Sequence, residues 1–209
     1  MLPAINEIAS MQAHPTMETK SKCQQLLDYA NTYPHCFISY HANNMVLHID
    51  SDAAYLVAPK ARSRIAGFYH LTNHPSSCQT PQKNSAILVE HKTLRQVVSS
   101  AAEAETAALF YNARNAIPIR YLLECLGHKQ APTPIKTDNS TALGYVHNTI
   151  QQRKSKSWDM QFHWSRDREK QKQFHYFWKS GKLNDADYFT KHWPTVYHRR
   201  IRKGYIHDK

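Results

Sequence analysis

The sequence predicts an α/β fold in which helices pack on a mixed five-stranded sheet. Two observations predict this class. Three segments with strand patterns follow one another closely in the first half of the chain, and two further strand segments are separated by helical ones. The predicted order of elements is therefore β-β-β-α-β-α-α-β-α. Short connections favour an antiparallel meander for the first three strands.

The first three strands are predicted from alternating or apolar segments. Residues 45–51 place Met45, Leu47 and Ile49 on one side of an extended chain. Residues 64–72 and 85–91 provide the second and third strands. On this pattern the first strand ends just before Asp52.

A long helix follows the meander. Ser99 or Ser100 can cap its N-terminus, with Glu103 as the partner in a capping box. Pro118 is expected to kink or split the helix, and Gly127 is suited to its C-terminal cap. The later elements are a strand at 134–137, helices at 139–147 and 157–171, an aromatic strand at 173–179 and a helical turn at 184–191.

The chain length predicts one domain with a short extension at each end. The sequence has 209 residues, of which 41% are hydrophobic and 21% charged, as in a globular domain. We expect residues 1–40 to be a linker, 41–195 the folded domain and 196–209 a mobile basic tail. No apolar run is long enough for a transmembrane helix, no secretory signal is evident, and four widely spaced cysteines predict no disulfide framework.

The charge of the chain is concentrated near its C-terminus. The formal net charge is +11. Residues 1–150 hold 12 basic and 10 acidic residues, whereas residues 151–209 hold 15 basic and 6 acidic ones. A basic segment of this kind indicates a polyanionic partner such as nucleic acid, or a solvated surface that binds nothing.

Four acidic residues lie where predicted elements begin or end: Asp52, Glu105, Asp138 and Asp187. Ligands of α/β sheets collect at strand ends, and neighbouring first and fourth strands would bring Asp52 and Asp138 together. Clustered carboxylates repel one another unless cations neutralise them, and Mg²⁺ and Mn²⁺ favour such oxygen ligands. Each acid alone can instead be a turn, capping or solvent-facing residue.

Five sequence blocks give these acids a common context. They are IDSDAAY at 49–55, ARSRIAGFY at 61–69, SSAAEAETAAL at 99–109, KTDNSTAL at 136–143 and NDADYFTK at 184–191. In this order they resemble the ribonuclease H domain of copia-type LTR retrotransposon polyproteins, and WDMQFHWSRDRE at 158–169 resembles a further segment of that family. The resemblance covers about residues 41–195, and residues 1–40 resemble the linker that follows the reverse transcriptase.

The resemblance implies a ribonuclease H-like fold with Asp52, Glu105, Asp138 and Asp187 as catalytic, metal-binding acids. It implies two Mg²⁺ ions, for which Mn²⁺ can substitute, and cleavage of the RNA strand of RNA–DNA hybrids. The sequence departs from the family pattern at Ala54, where the family has a second Asp. The family's mobile catalytic His cannot be placed among the 14 histidines.

Contacts to the hybrid are expected to run along its backbone, because protein recognition of RNA duplexes depends mostly on shape and 2′-hydroxyls. The expected partner besides the hybrid is an upstream reverse transcriptase domain, and no membrane partner is expected. The location inside the cell stays open between a cytoplasmic particle and the nucleus. The candidate contact residues are Arg62, Arg64, Asn139, Lys154, Lys156, Arg166 and Arg168.

Three other functions remain alternatives at this level. The chain could be a catalytically dead remnant that only binds nucleic acid, although all four acids are present. An integrase core requires the acid order Asp, Asp, Glu and usually an upstream zinc module, which this sequence lacks. A purely structural interaction domain does not account for the uneven charge.

Overall fold

The structure, a computed structural model, describes residues 1–73, 84–150 and 156–207, with side chains in the last range from residue 160 onward. Two short 3₁₀ turns, Gly181–Leu183 and Asp187–Phe189, precede the last helix. The helices are α1 (Leu2–Ser10), α2 (Met17–Thr32), α3 (Ala101–Cys125), α4 (Ser140–Val146), α5 (Lys156–Lys170) and α6 (Thr195–Arg202). The strands are β1 (Val46–Ala58), β2 (Arg62–Thr72), β3 (Ala86–Thr93), β4 (Thr133–Thr137) and β5 (Phe174–Trp178).

The five strands form one mixed sheet in the order β3-β2-β1-β4-β5. The first three strands are antiparallel neighbours, whereas β4 lies parallel to β1 and β5 parallel to β4. The predicted fold class, an α/β fold with helices packed on a mixed five-stranded sheet, is confirmed. The predicted proximity of the first and fourth strands is also correct.

Strand β1 is longer than its sequence pattern predicts. It continues to Ala58, so Asp52 lies within the strand, opposite Ala66 of β2, and not after its end. Strand β4 pairs with β1 only through Ile135 and Lys136. The second half of β1 therefore extends beyond the end of β4, which leaves one edge of the strand open beside Asp52.

Helix α3 begins as predicted and is not split. Ser100 caps it by accepting a hydrogen bond from the Glu103 amide at 3.2 Å. Pro118 lies within the helix on its exposed side, where water can satisfy the carbonyl that loses its amide partner. Gly127, with φ of +90°, follows the last turn in a conformation that favours glycine.

Helix α3 packs closely on the sheet through Gly67 and Asn112. A Cβ atom at Gly67 would lie 2.3 Å from Asn112 Oδ1, so only glycine allows this approach. Asn112 Nδ2 donates to Ser51 Oγ and to the Ala66 carbonyl, both at 2.9 Å. The core beside this contact is built from Leu47, Ile49, Tyr69, Leu109, Ala113, Ile135, Phe174 and Tyr176.

Segments near the two ends of the chain, in the described residues up to 207, contact each other and the sheet. Phe37 and His207 pair through two backbone hydrogen bonds of 2.9 Å. Tyr205 packs against Phe68 and Phe189, and Arg202 is only 6% exposed. Apolar side chains such as Tyr205 anchor the basic segment. Among the described residues, no helix is long and apolar enough to cross a membrane.

Candidate active site

Asp52 projects from the centre of the sheet and is 4% exposed. It lies beyond the part of β1 that pairs with β4. Asn184 holds the chain that passes over it: its Nδ2 donates to the Ser51 carbonyl at 2.9 Å and lies 3.5 Å from Asp52 Oδ1. The carboxylate is therefore buried, and its position is set by both the strand and the loop after β5.

Glu105 reaches the same place from the second turn of α3. Its Oε1 accepts a hydrogen bond from the Ala53 amide at 3.1 Å, and Thr137 Oγ1 lies 3.4 Å from Oε2. The Ala53 amide is available because β4 ends before it can pair with this part of β1. The early end of β4 thus creates the opening that the Glu105 carboxylate fills.

Asp138 follows β4 directly, so the parallel pairing of β1 and β4 brings it next to Asp52. Its carbonyl accepts a hydrogen bond from Trp178 Nε1 at 2.9 Å. Gly181 lies against its carboxylate, and a Cβ atom at residue 181 would lie 2.4 Å from Asp138 Oδ2. A glycine at this position therefore leaves room for the Asp138 side chain.

These three acids form one cluster. One carboxylate oxygen from each of Asp52, Glu105 and Asp138 lies within 4.8 Å of the others. A donor set of three carboxylates fits a hard divalent cation such as Mg²⁺ or Mn²⁺. We refer to Asp52, Glu105 and Asp138 as the acid cluster.

Asp187, the fourth predicted acid, lies at the edge of the acid cluster. It is carried by the short 3₁₀ turn after β5, and its Oδ1 forms an ion pair of 2.8 Å with Lys191 Nζ. Its negative charge acts on both Asp52 and Asp138. All four predicted acids therefore converge, but Asp187 is paired with a lysine and stands outside the tight group of three.

Burial and mutual repulsion change the acidity of the cluster. Burial and the charge of Asp187 raise the pKa of Asp52 to about 7. The same causes raise the pKa of Asp138, and burial with the charge of Asp52 raises that of Glu105 well above its ordinary value. At neutral pH the metal-free cluster therefore retains protons that a divalent cation would replace.

A buried ion pair supports the loop that carries Asp187. Asp50 accepts hydrogen bonds from Lys136 Nζ at 2.7 Å and from the Asp185 amide at 3.1 Å, and Lys136 also donates to the Leu183 carbonyl. Burial alone would raise the pKa of Asp50, but His48 and Lys136 hold it at about 2. This acid is therefore charged and paired, in contrast to Asp52 two residues later.

Several residues that were predicted to contact nucleic acid are buried or form hydrogen bonds within the protein. Arg64 is 5% exposed and Arg62 is half-buried. Asn139 caps α4, since its Oδ1 accepts from the Ala142 amide at 2.9 Å. Arg166 donates to the Tyr145 carbonyl at 2.7 Å, which ties α5 to the end of α4.

The remaining candidates are Arg168, Lys154 and Lys156. Arg168 contacts Gln171 at 3.1 Å and lies over the Trp164 ring. Lys154 lies outside the described residues, and Lys156 begins α5 but its side chain lies outside the described part.

Sequence patterns did not identify several residues that shape the site. Lys136 contacts Asp50 and Asn184 contacts Ser51, while Gly181 lies against Asp138. Each of these contacts joins residues far apart in the sequence. Lys136 and Asn184 do lie inside two of the sequence blocks, two positions before Asp138 and three before Asp187. Gly181 lies just before the last block, and only its contact with Asp138 reveals its role.

No protein-family model matches the sequence, and no curated protein matches it. Solved structures are similar in overall fold. The N-terminal RNase H domain of a Mycobacterium tuberculosis protein is 11% identical, with a TM-score of 0.49 over 70% of this chain and 91% of that one. RNase H1 of Halobacterium salinarum is 12% identical, with a TM-score of 0.45 over 70% of this chain and 92% of that one.

A third similar structure is that of LC11-RNase H1 in complex with an RNA/DNA hybrid. It is 10% identical, with a TM-score of 0.49 over 68% of this chain and 91% of that one. Likeness at these values does not bear on function, which has to be derived from the side chains of the acid cluster.

Proposed function

We propose that this protein is a metal-dependent endoribonuclease that cleaves the RNA strand of RNA–DNA hybrids. The observation that carries the proposal is the convergence of Asp52, Glu105 and Asp138 within 4.8 Å, from three separate elements of the fold. Burial, together with the repulsion of neighbouring carboxylates, raises the pKa of Asp52, and a divalent cation would offset both effects. A stability role does not account for three carboxylates that face one another at one point.

The acid cluster would hold divalent cations, Mg²⁺ or Mn²⁺, with Asp187 contributing from its edge. When bound, such ions supply positive charge for the attacking and leaving oxygens of a phosphodiester. The chain itself orients the carboxylates: the Ala53 amide holds Glu105, and Asn184 holds the loop over Asp52. Gly181 leaves space beside Asp138. We infer that a second ion site is completed by Asp187.

We further propose that this nuclease belongs to the reverse-transcription machinery of a copia-type retrotransposon, with an upstream reverse transcriptase domain as its partner. The support is the order and spacing of the five sequence blocks. Each block lies at the site or next to it: the first holds Asp52, the third Glu105, the fourth Asp138 and the fifth Asp187.

The test is cleavage by the full chain of a hybrid labelled on either strand. With Mg²⁺ or Mn²⁺ we expect cuts in the RNA strand of the hybrid, and none in its DNA strand, in single-stranded RNA or in duplex DNA. A folded chain that binds the hybrid but cuts it at no concentration of either ion would instead identify a binding-only remnant.

A further inference from the structure

A second charged feature lies away from the acid cluster, between α2 and α6. It is a groove of about 730 Å³. We call it the α2–α6 groove, and the lining residues that matter here are Tyr29, Tyr33, Arg199, Arg200, Arg202 and Lys203. No carboxylate of the described residues lines it, whereas Arg199, Arg200, Arg202 and Lys203 all do.

The floor of the groove is a fixed cation. Arg202 is 6% exposed, its guanidinium lies 3.9 Å from the centre of the Tyr33 ring, and its Nη2 donates to Cys36 Sγ. These contacts fix α6 against the end of α2. A buried guanidinium with part of its surface in a groove is well placed to donate to an anion.

The wall on the side of the acid cluster is also fixed. The imidazole of His198 lies between two tyrosines, with Nε2 at 3.0 Å from Tyr29 Oη and Nδ1 at 2.7 Å from Tyr188 Oη. The rings of Tyr188 and His198 stack at 5.8 Å. The groove therefore has preformed walls, which lowers the entropy cost of binding a ligand there.

Arg199 and Lys203, two exposed cations of the groove, differ from those surface lysines that have acidic partners. Lys22 pairs with Glu7 and Glu18, and Lys191 pairs with Asp187. Arg199 and Lys203 are one helical turn apart, where like charges destabilise a helix, and neither forms an ion pair with a described residue. The dipole of α6 favours cations at its end, and neither of the two acids of α2 lines the groove.

The groove is continuous with the surface beside the acid cluster. Tyr29 and His198 also line a neighbouring cavity of about 340 Å³, which extends to Tyr188 and Lys191. Lys191 is the partner of Asp187 at 2.8 Å. Lys191, His198 and the cations of the groove therefore form a continuous series from Asp187 along α6, a helix about 12 Å long.

We propose that the α2–α6 groove binds the phosphate backbone of a nucleic acid and holds the hybrid on the Asp187 side of the acid cluster. The inference rests on the proposed function for the choice of a hybrid as ligand. Arginine forks match phosphate oxygens, and a backbone contact of this kind adds affinity and register without sequence preference.

The test compares paired charge removals in an Asp52→Asn background with Mg²⁺, so that the hybrid stays intact. Arg199→Gln with Lys203→Gln removes two exposed cations from the groove. Lys129→Gln with Lys172→Gln removes two exposed cations that precede β4 and β5, at the opposite end of the sheet from the acid cluster. The probe is a hybrid long enough to reach both pairs of cations. Its binding is followed by fluorescence anisotropy at several salt concentrations.

The groove variant should bind the hybrid several-fold more weakly, and the slope of log affinity against log salt should fall by about 1 to 2. The control pair should change neither quantity, and circular dichroism should be the same for both. Equal losses in the two pairs would indicate a general charge effect and overturn the proposal, as would unchanged binding by the groove variant.

The result is separable from the proposed nuclease function. If the unmodified chain cleaves the hybrid and the groove variant binds it as tightly as before, the groove proposal is wrong and the nuclease proposal is supported. Binding that depends on Arg199 and Lys203, in a chain that never cleaves, would support the groove and contradict the nuclease.

Discussion

Glu103 and Glu105 are two residues apart on α3 but have different surroundings. Residues at this spacing point about 200° apart on a helix. Glu103 accepts hydrogen bonds from the Ser99 amide and hydroxyl at 2.6 and 2.7 Å, which closes the start of the helix. Glu105 contacts Ala53 and Thr137 in the acid cluster. Sequence spacing predicted this division, and the contacts agree with it.

The two glutamates should therefore respond differently to loss of charge. We expect Glu105→Gln to lower the rate of hybrid cleavage by about two orders of magnitude or more, at an unchanged or higher Tm. Glu103→Gln should keep most activity and cost about 1 kcal/mol of stability. Cleavage rates and thermal unfolding of both variants test this, and an inactive Glu103→Gln with an active Glu105→Gln would show that the site is wrongly assigned.

The acid cluster should make the metal-free protein less stable as pH rises. The pKa of Asp52 is raised from 3.8 to about 7 in the folded state. A carboxyl with a raised pKa contributes stability in full below its unfolded pKa and loses it as pH rises through the folded value. In EDTA, Asp52→Asn should therefore be more stable than the unmodified chain by about 2 to 4 kcal/mol at about pH 8.

That difference should vanish towards about pH 4, because both forms are then uncharged at residue 52. Thermal unfolding across this range measures it. If the two proteins differ in Tm by the same amount at every pH, the Asp52 carboxyl is not perturbed and the acid cluster is not as crowded as the structure has it.

At the scale of elements, the sequence predicts most strands and helices but not the full length of β1. The predicted strand stops at Ser51 because Asp50, Ser51 and Asp52 are polar and end its apolar alternation, yet all three are buried. The residues that permit this, Lys136 and Asn184, lie 86 and 133 positions away from Asp50 and Ser51. Local patterns cannot reveal such partners, whereas the ordered blocks indicated the acids themselves.

Breaking the Asp50–Lys136 pair should destabilise the element that carries Asp187. Lys136→Met leaves a buried carboxylate without its cation, which typically costs about 3 to 5 kcal/mol. The double variant Asp50→Asn with Lys136→Met removes both charges and should recover part of that loss. Chemical denaturation measures the three proteins. A double variant no more stable than Lys136→Met would show that the pair is not an isolated electrostatic unit.

At the scale of the whole molecule, the described residues near both ends of the chain contact the rest of the fold. Glu7 pairs with Lys22 and His192, and Thr93 Oγ1 donates to Asn6 at 3.0 Å, so α1 and α2 lie against β3 and the last segment. The described residues of the segments predicted as linker and tail therefore contact the rest of the fold, and the division into linker, domain and tail stays a prediction. Aromatic and histidine contacts between residues far apart in sequence cause this, and composition does not show them.

Removing residues 1–40 should therefore destabilise the rest of the chain. The deletion removes the hydrogen bond between Tyr29 and His198 and the contact of the Tyr33 ring with the Arg202 guanidinium. We expect Tm to fall by about 5 °C or more and the segment after residue 195 to become sensitive to protease. An unchanged Tm and protease pattern would mean that these helices are a linker after all.

The most direct test of the account is metal-dependent cleavage of an RNA–DNA hybrid by the full chain, beside Asp52→Asn and Asp138→Asn purified in the same way. The acid cluster requires that the unmodified chain cut the RNA strand with Mg²⁺ and not in EDTA, and that each variant lose this activity while remaining folded. Equal cleavage by all three proteins, or cleavage that persists in EDTA, would contradict the assignment of these carboxylates as the active site.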